Sequence, residues 1–159
     1  MMKVIFLDID GVLNKKGRTI NIDLLNILKY ILEKTNAKIV ISSSWRLGRM
    51  DKLLSTFEEH GIKERVIGTT SLFCDQNRES EIRDWVIRHE NITNWVVIDD
   101  LNLKITADKF VHIKSGITKE NAANIISILN KKYVKKEYKK DVIYGLDYDS
   151  IEMDEFFYN

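Results

Sequence analysis

The sequence predicts an α/β fold in which a parallel sheet is covered by helices on both faces, giving three layers. Short apolar runs of strand length alternate along the chain with stretches whose apolar residues recur at helical spacing. This alternation is typical of parallel strands buried between two helical layers. The chain has 159 residues, of which 44% are hydrophobic and 31% charged, so it has the size and composition of one globular domain.

The apolar runs predict five strands. These cover residues 3–8, 38–42, 65–68, 95–98 and 110–113. The intervening helical patterns predict four helices, with Asn21, Asn77 and Thr118 as N-caps of the first, third and fourth. The second helix is predicted to end at His60 and Gly61, because glycine accepts the left-handed conformation that often closes a helix.

The end of the chain differs in composition from the rest. Residues 131–140 hold six Lys and one Glu, whereas residues 141–159 hold six acidic residues and no Lys or Arg. We therefore predict one domain over residues 1–132 and a tail over residues 133–159. The tail is either a mobile segment or, through its aromatic residues, one that docks.

Charge and cysteine content narrow the function classes. The formal net charge is +1, so no global field favours nucleic acid or a membrane surface. No stretch approaches the ~18 apolar residues of a membrane span. Cys74 is the only cysteine, which excludes an internal disulfide and fits a reducing compartment. We expect a soluble cytoplasmic protein without a membrane partner. The sequence leaves the oligomeric state open.

Three of the predicted strands end in polar residues. The first ends in Asp8 and Asp10, the second in three serines at 42–44, and the fourth in Asp99 and Asp100. Ligands in parallel α/β folds bind beyond the carboxyl ends of the strands. These three groups therefore predict the position of a binding or catalytic site.

Asp8 and Asp10 carry the strongest chemical signal. They lie two residues apart at a strand end, and Gly11 permits the sharp turn that exposes them. A carboxylate in such a place can act as a nucleophile by forming an aspartyl-phosphate. The Asp-x-Asp-Gly pattern also occurs in calcium loops, but the continuation from Val12 to Lys16 does not supply the ligands of an EF-hand.

Asp99 and Asp100 predict a magnesium site together with Asp8. Paired acids at a strand end also occur simply as caps or as solvent-facing residues. Mg²⁺, however, prefers one or two carboxylates together with waters and phosphate oxygens. Two strands tipped with acids would supply that site, and the ion would offset the repulsion between carboxylate and phosphate.

Serine and arginine residues supply candidate phosphate contacts. The serines at 42–44 offer hydroxyl and backbone N–H donors, although a serine here is equally suited to capping the next helix. Arg46 could add a bidentate contact to a phosphate. Arg78 stands at a helix start, where a cation is unfavourable to the helix dipole, which indicates another role.

The order of these motifs resembles that of haloacid dehalogenase (HAD) superfamily phosphatases. The stretch from Phe6 to Asn14 resembles the first HAD motif and that from Ile39 to Arg46 the second. Arg78 resembles the basic third motif, and the stretch from Val96 to Asp100 resembles the fourth. The four motifs occur in sequence order and span most of the predicted domain.

The resemblance implies a Rossmann-like fold, a phosphatase reaction and roles for the acidic residues. Asp8 would be the nucleophile and a metal ligand. Asp10 would be the general acid/base and would bind Mg²⁺ through its backbone carbonyl. Asp99 would complete the metal site, and Asp100 would assist through water.

The same resemblance assigns the phosphate contacts. Ser43 would bind phosphate, although the register leaves Ser42 or Ser44 open for that place. Arg78 would stabilise the transferring phosphoryl group. Two residues are weaker candidates for the latter role: Arg83 and Lys63.

Motif spacing bears on the substrate. Only 32 residues separate Asp10 from Ser43 and 34 separate Ser43 from Arg78, which leaves no room for a sizeable cap domain. An open site admits bulky phosphorylated substrates. The stretch Ser-Ser-Trp-Arg and the segment Ser-Glu-Ile-x-x-Trp after Arg78 are most similar to HAD domains of "Swiss army knife" RNA repair proteins. That similarity implies action on polynucleotide ends.

Two alternatives stay open. One is a small-molecule, nucleotidase-like phosphatase whose access is limited by a flap at residues 15–20. The other is a HAD-fold binding module without turnover. Among the aromatic residues, Trp85 and Trp95 are predicted to be core, whereas Trp45 is a candidate for stacking on a substrate base. The three histidines are isolated and predict no catalytic role.

Overall fold

The structure, a computed structural model, describes residues 1–15, 19–72 and 77–132. Three features predicted from the sequence lie outside these residues: the tail at 133–159, Cys74, and positions 16–18 of the candidate flap.

Five parallel strands form one sheet. They are β1 (Met2–Leu7), β2 (Lys38–Ile41), β3 (Val66–Thr69), β4 (Ile92–Asp99) and β5 (Phe110–His112). Their order across the sheet is β3-β2-β1-β4-β5, so β1 is the central strand. All strand pairs are parallel, which confirms the predicted parallel sheet.

Four α-helices connect or follow the strands. They are α1 (Ile22–Thr35), α2 (Met50–Glu59), α3 (Arg78–Ile87) and α4 (Lys119–Leu129). The three predicted N-caps are confirmed: the side chains of Asn21, Asn77 and Thr118 accept hydrogen bonds from backbone N–H groups in the first turns of their helices. Helix α2 ends at Glu59 with His60 as its C-cap, and Gly61 follows with a φ of +72°.

Two hydrophobic clusters lie on opposite faces of the sheet. The larger joins alternate strand residues such as Ile5, Leu7 and Ile39 to α1, α2 and α4. The smaller joins the other alternate residues, including Phe6, to α3. Helices therefore cover both faces, as predicted. Within the described residues no cap domain is inserted between the strands and helices.

The smaller cluster holds the two tryptophans that were predicted to be core. The rings of Trp85 and Trp95 approach the Phe6 ring edge-on, with centroids at 5.4 and 5.9 Å. This contact fixes α3 against β1 and β4. Consequently, the first turn of α3 lies over the carboxyl ends of the central strands.

None of the helices in the described ranges has the length and apolar character needed to cross a bilayer.

Candidate active site

A row of polar residues crosses the sheet just past the carboxyl ends of its strands. The pairing of Leu7 with Ile41 and with Ile98 continues for one more residue, because Ser42 donates to the Leu7 carbonyl and Asp8 to the Ile98 carbonyl. Ser42, Asp8 and Asp99 are therefore neighbours across three strands. All three are buried, with exposed fractions of 0%, 4% and 0%.

Strand alternation decides which way this row faces. Val40, Phe6 and Val97 form the preceding same-face row, and their side chains belong to the smaller cluster beneath α3. Residues two positions further along each strand share that face. The row of Ser42, Asp8 and Asp99 is therefore directed toward the first turn of α3, where Arg78 begins the helix.

Three carboxyl groups converge at this place. One carboxylate oxygen each from Asp8, Asp99 and Asp100 lies within 4.8 Å of the others. Oxygen donors of this kind suit Mg²⁺. Three of the four predicted metal ligands, Asp8, Asp99 and Asp100, therefore lie close together in the structure. The remaining predicted ligand, the backbone carbonyl of Asp10, stays a prediction.

The electrostatics of the cluster favour a bound cation. Burial, the largest cause, and the neighbouring Asp99 carboxylate together raise the pKa of Asp8 to about 7, against the opposing effect of Arg78. Burial also raises the pKa of Asp99 above its ordinary value, although Arg78 lowers it. Like charges in a dry site resist ionisation together, and a divalent cation would remove that resistance.

Arg78 spans two of the carboxylates. Its Nη1 donates to Asp99 Oδ2 at 2.7 Å and lies 3.5 Å from Asp8 Oδ1. Burial alone would lower the pKa of the Arg78 guanidinium, but Asp99 and the other carboxylates raise it above its ordinary value. The guanidinium therefore stays charged beside the predicted nucleophile, the position that its predicted role requires.

Gly11 allows the Asp100 carboxylate to approach the turn after β1. Its φ is +80°, and a Cβ at this position would lie 2.3 Å from Asp100 Oδ2. No other residue type fits both the backbone conformation and the contact. The glycine of the first motif thus serves the acidic cluster directly.

The three serines at the end of β2 have different surroundings. The Ser42 hydroxyl is buried and has no hydrogen-bond partner among the described residues. The Ser43 hydroxyl accepts a hydrogen bond from the Trp45 backbone N–H and caps a short 3-10 helix, Ser44–Arg46. Ser44 is exposed at the first position of that helix. The register thus favours Ser42, one of the open alternatives, over Ser43.

Arg46 has partners within the protein instead of a position open to phosphate. Its Nη1 donates to the Ser42 carbonyl at 2.7 Å and to Thr70 Oγ1 at 2.8 Å. Its Nη2 lies 2.5 Å from Glu81 Oε2, and both side chains are buried, with 8% and 2% exposed. Arg46 therefore joins the ends of β2 and β3 to α3. We call this set of contacts the Arg46 brace.

Trp45 is not available for stacking on a substrate. Only 1% of the residue is exposed, and it packs in the larger cluster, on the face opposite to the polar row. The prediction that Trp45 contacts a base is therefore wrong for this conformation, because the residue faces the core.

The weaker candidates for the basic third motif lie elsewhere. Lys63 precedes β3, so it lies at the amino ends of the strands, away from the acidic cluster. Its Nζ lies 3.4 Å from Glu58 Oε2. Arg83 lies on α3 five residues beyond Arg78, about 140° further around the helix. Arg78 is the basic candidate whose guanidinium lies against the Asp8 and Asp99 carboxylates.

Several residues of the site had no predicted role. Glu81 and Thr70 complete the Arg46 brace, but they lie 35 and 24 residues from Arg46, so no local pattern links them. His112, on β5, is the register partner of Asp99 on β4, and its Nε2 lies 2.8 Å from the Asp100 carbonyl oxygen. Asn14 contacts Asp10, and its spacing of four residues from Asp10 was the signal that could have revealed it.

The comparisons with known proteins agree with this arrangement. The sequence model of a family described as the HAD domain in Swiss Army Knife RNA repair proteins matches residues 4–122. A search of curated proteins gave no significant match. The match runs from within β1 to the first turn of α4 and includes every residue of the polar row and the acidic cluster. The chain therefore belongs to the family of HAD domains found in Swiss Army Knife RNA repair proteins.

Proposed function

We propose that the protein is a Mg²⁺-dependent phosphomonoester hydrolase that acts through an aspartyl-phosphate on Asp8. The observation that supports this proposal most directly is the placement of Asp8 between Ser42 and Asp99, with Arg78 Nη1 3.5 Å from its carboxylate. A nucleophile, a hydroxyl donor, a fixed cation and a carboxylate cluster thus share one edge of the sheet. This is the set of groups that phosphoryl transfer requires.

The proposed reaction has two steps. The Asp8 carboxylate attacks phosphorus, the bond from phosphorus to the leaving oxygen breaks, and Asp10 donates a proton to that oxygen. A water molecule then attacks the phosphorus of the aspartyl-phosphate while Asp10 accepts a proton from it. Inorganic phosphate leaves, and the Asp8 carboxylate is restored.

Other residues of the chain bind and orient the phosphoryl group. The Ser42 hydroxyl, buried and without a described partner, is suited to donate to a phosphate oxygen. Arg78 would contact a second oxygen and balance its charge. Mg²⁺ held by Asp8, Asp99 and Asp100, together with the Asp10 carbonyl, would lower the repulsion between the carboxylate and the phosphate.

Phosphate release from p-nitrophenyl phosphate, with and without Mg²⁺, tests this function. We expect release that depends on Mg²⁺, that falls to background in Asp8→Asn, and that drops about 10²- to 10⁴-fold in Asp10→Asn. Both substitutions preserve side-chain shape, so thermal unfolding should show folded variants. Full activity in a folded Asp8→Asn variant would rule out the aspartyl-phosphate mechanism.

The proposed substrate is a phosphorylated polynucleotide end. The family description, which names RNA repair proteins, supports this choice. The lack of a cap domain within the described residues supports it as well, because an open site admits a long chain. We expect higher kcat/KM for 3′- or 5′-phosphorylated oligonucleotides than for the matching mononucleotides. The reverse order would favour a small-molecule phosphatase.

A further inference from the structure

The turn after β1 holds a buried amide beside the proposed acid/base. Asn14 is 1% exposed, and its Nδ2 donates a hydrogen bond of 2.9 Å to Asp10 Oδ1. Its Oδ1 accepts a hydrogen bond of 3.0 Å from the Gly11 backbone N–H. The amide therefore contacts both the backbone of the turn and the Asp10 carboxyl group.

The contact to Gly11 fixes which way the amide faces. Exchanging the oxygen and nitrogen of Asn14 would direct an NH₂ group at the Gly11 N–H, so two donors would meet. The turn itself is held by bonds from the Val12 and Leu13 N–H groups to the Ile9 carbonyl. The Asn14 NH₂ group is consequently held toward Asp10 by the backbone.

This orientation selects between the two oxygens of Asp10. An NH₂ group only donates, so it can pair with an unprotonated Oδ1 but not with a hydroxyl directed at it. The amide therefore occupies Oδ1, so the oxygen left to face a leaving group is Oδ2. Without the amide, the carboxyl group could rotate and carry the proton on either oxygen.

We propose that Asn14 is a positioning residue that orients the Asp10 carboxyl group so that Oδ2 delivers the proton to the leaving group. This inference rests on the proposed function, in which Asp10 protonates the leaving oxygen. Loss of the Asn14 amide should slow proton delivery to the leaving group more than attack by Asp8 on phosphorus. Esters whose leaving group needs a proton should therefore be the most sensitive.

Two substrates separate these effects. 2,4-Dinitrophenyl phosphate releases a stable anion and needs little protonation, whereas phenyl phosphate needs the acid. We expect Asn14→Ala and Asn14→Asp to lower kcat/KM, which reports the step that releases the leaving group, at least about tenfold more on phenyl phosphate than on the dinitrophenyl ester. Asn14→Asp keeps the size of the side chain and an acceptor for Gly11, but it turns an oxygen toward Asp10.

Asn94→Ala is the matched control. Asn94 is also a buried asparagine, 7% exposed. Its Nδ2 donates to the Leu129 and Lys131 carbonyls near the amino end of β4, away from the acidic cluster. This variant should lose stability and show the same ratio of the two rates as the wild type. Far-UV circular dichroism and thermal unfolding would establish that each variant is folded.

The outcomes separate this inference from the function on which it rests. Equal losses of kcat/KM on both esters in a folded Asn14 variant would overturn the positioning role alone. So would failure of both Asn14 variants to fold while Asn94→Ala folds, since Asn14 would then be structural. If the Asp8→Asn variant hydrolysed both esters as fast as the wild type, the proposed function would be overturned, and the role of Asn14 with it.

Discussion

Two neighbouring serines at the end of β2 differ in what their hydroxyl groups contact, so substitution should separate their roles. Ser42→Ala removes a hydroxyl without a described partner, and we expect little change in stability but a 10- to 100-fold loss of kcat/KM, about 1.5–3 kcal/mol. Ser43→Ala removes a helix cap and should lower the free energy of unfolding by about 0.5–2 kcal/mol with near-normal activity. Phosphatase assays and chemical denaturation of both variants provide the test. A loss of activity in Ser43→Ala with near-normal activity in Ser42→Ala would instead assign the phosphate contact to Ser43.

The sequence could not make this choice between serines. The pattern identified the end of the strand, but three consecutive serines fit the motif equally well. The decision comes from the pairing of β1 with β2, which sets Ser42 beside Asp8. A shift of one residue would place Ser43 there instead, and only the tertiary register excludes it.

Gly11 offers a second test at the level of single residues. Gly11→Ala combines a left-handed backbone with a collision against Asp100, and we expect weaker Mg²⁺ binding and lower stability. Gly61→Ala is the control: its φ is +72°, but a Cβ there would meet no described atom within 4 Å. It should therefore cost only the backbone strain, about 1–2 kcal/mol, with unchanged Mg²⁺ affinity. Isothermal titration with Mg²⁺ distinguishes them, and equal affinity in both variants would contradict a role of Gly11 at the cluster.

Among the structural elements, α3 is joined to the sheet by a buried ion pair between Arg46 and Glu81. The Arg46 brace links this helix, which carries Arg78, to the ends of β2 and β3. Arg46→Met leaves Glu81 buried without this partner, and we expect a loss of about 3–5 kcal/mol of stability. The double variant Arg46→Met/Glu81→Met should recover much of that loss, because two apolar side chains replace two buried charges.

Activity should not recover with stability in the double variant. The two introduced methionine side chains could fill the space, but they would not hold the Ser42 carbonyl or fix the first turn of α3, so we expect reduced kcat/KM. Denaturation curves and assays on the same samples provide the comparison. Lys63→Met breaks an exposed pair with Glu58 and should change stability by less than about 1 kcal/mol. Recovery of both properties in the double variant would show that the brace only stabilises the fold.

Local sequence signals predicted the elements well where the signal itself was local. Asn21, Asn77 and Thr118 each cap a helix through a residue two or three positions ahead, a contact that sequence spacing encodes. The start of β4 was missed: the apolar run predicted Trp95, and the strand begins at Ile92. Asn94 interrupts the apolar pattern, and its amide donates to the carbonyls of Leu129, at the end of α4, and of Lys131, which lie 35 and 37 residues away.

For the whole molecule, the acidic cluster should couple stability to pH and Mg²⁺. The pKa of Asp8 in the folded protein is about 7, above the ordinary 3.8, and that of Asp99 is also raised. The folded state therefore holds protons that the unfolded state releases. This contribution to stability is fully present below pH 3.8 and is lost as the pH rises through about 7. One pKa unit corresponds to about 1.4 kcal/mol, so the loss from Asp8 alone is on the order of 4 kcal/mol.

Mg²⁺ should reverse this loss. A cation bound by the ionised carboxylates stabilises the folded state, so the rise in Tm on adding Mg²⁺ should be larger at pH 8 than at pH 5. Differential scanning calorimetry at both values, with EDTA as the metal-free reference, measures the effect. In EDTA, the Tm of the Asp8→Asn variant should depend less on pH than that of the wild type. A Mg²⁺ effect of equal size at both pH values would contradict the coupling.

The central position of β1 has a consequence for how the protein is made. Of the five described strands this one leaves the ribosome first, yet one of its two neighbours, β4, follows only after some 85 further residues. Until β4 emerges, one side of β1 has unpaired backbone groups between apolar side chains, an arrangement prone to join other chains. Nascent chains stalled before residue 92 should therefore depend on chaperones, whereas those that include β4 can close the sheet and bring Asp99 to Asp8 in the same event.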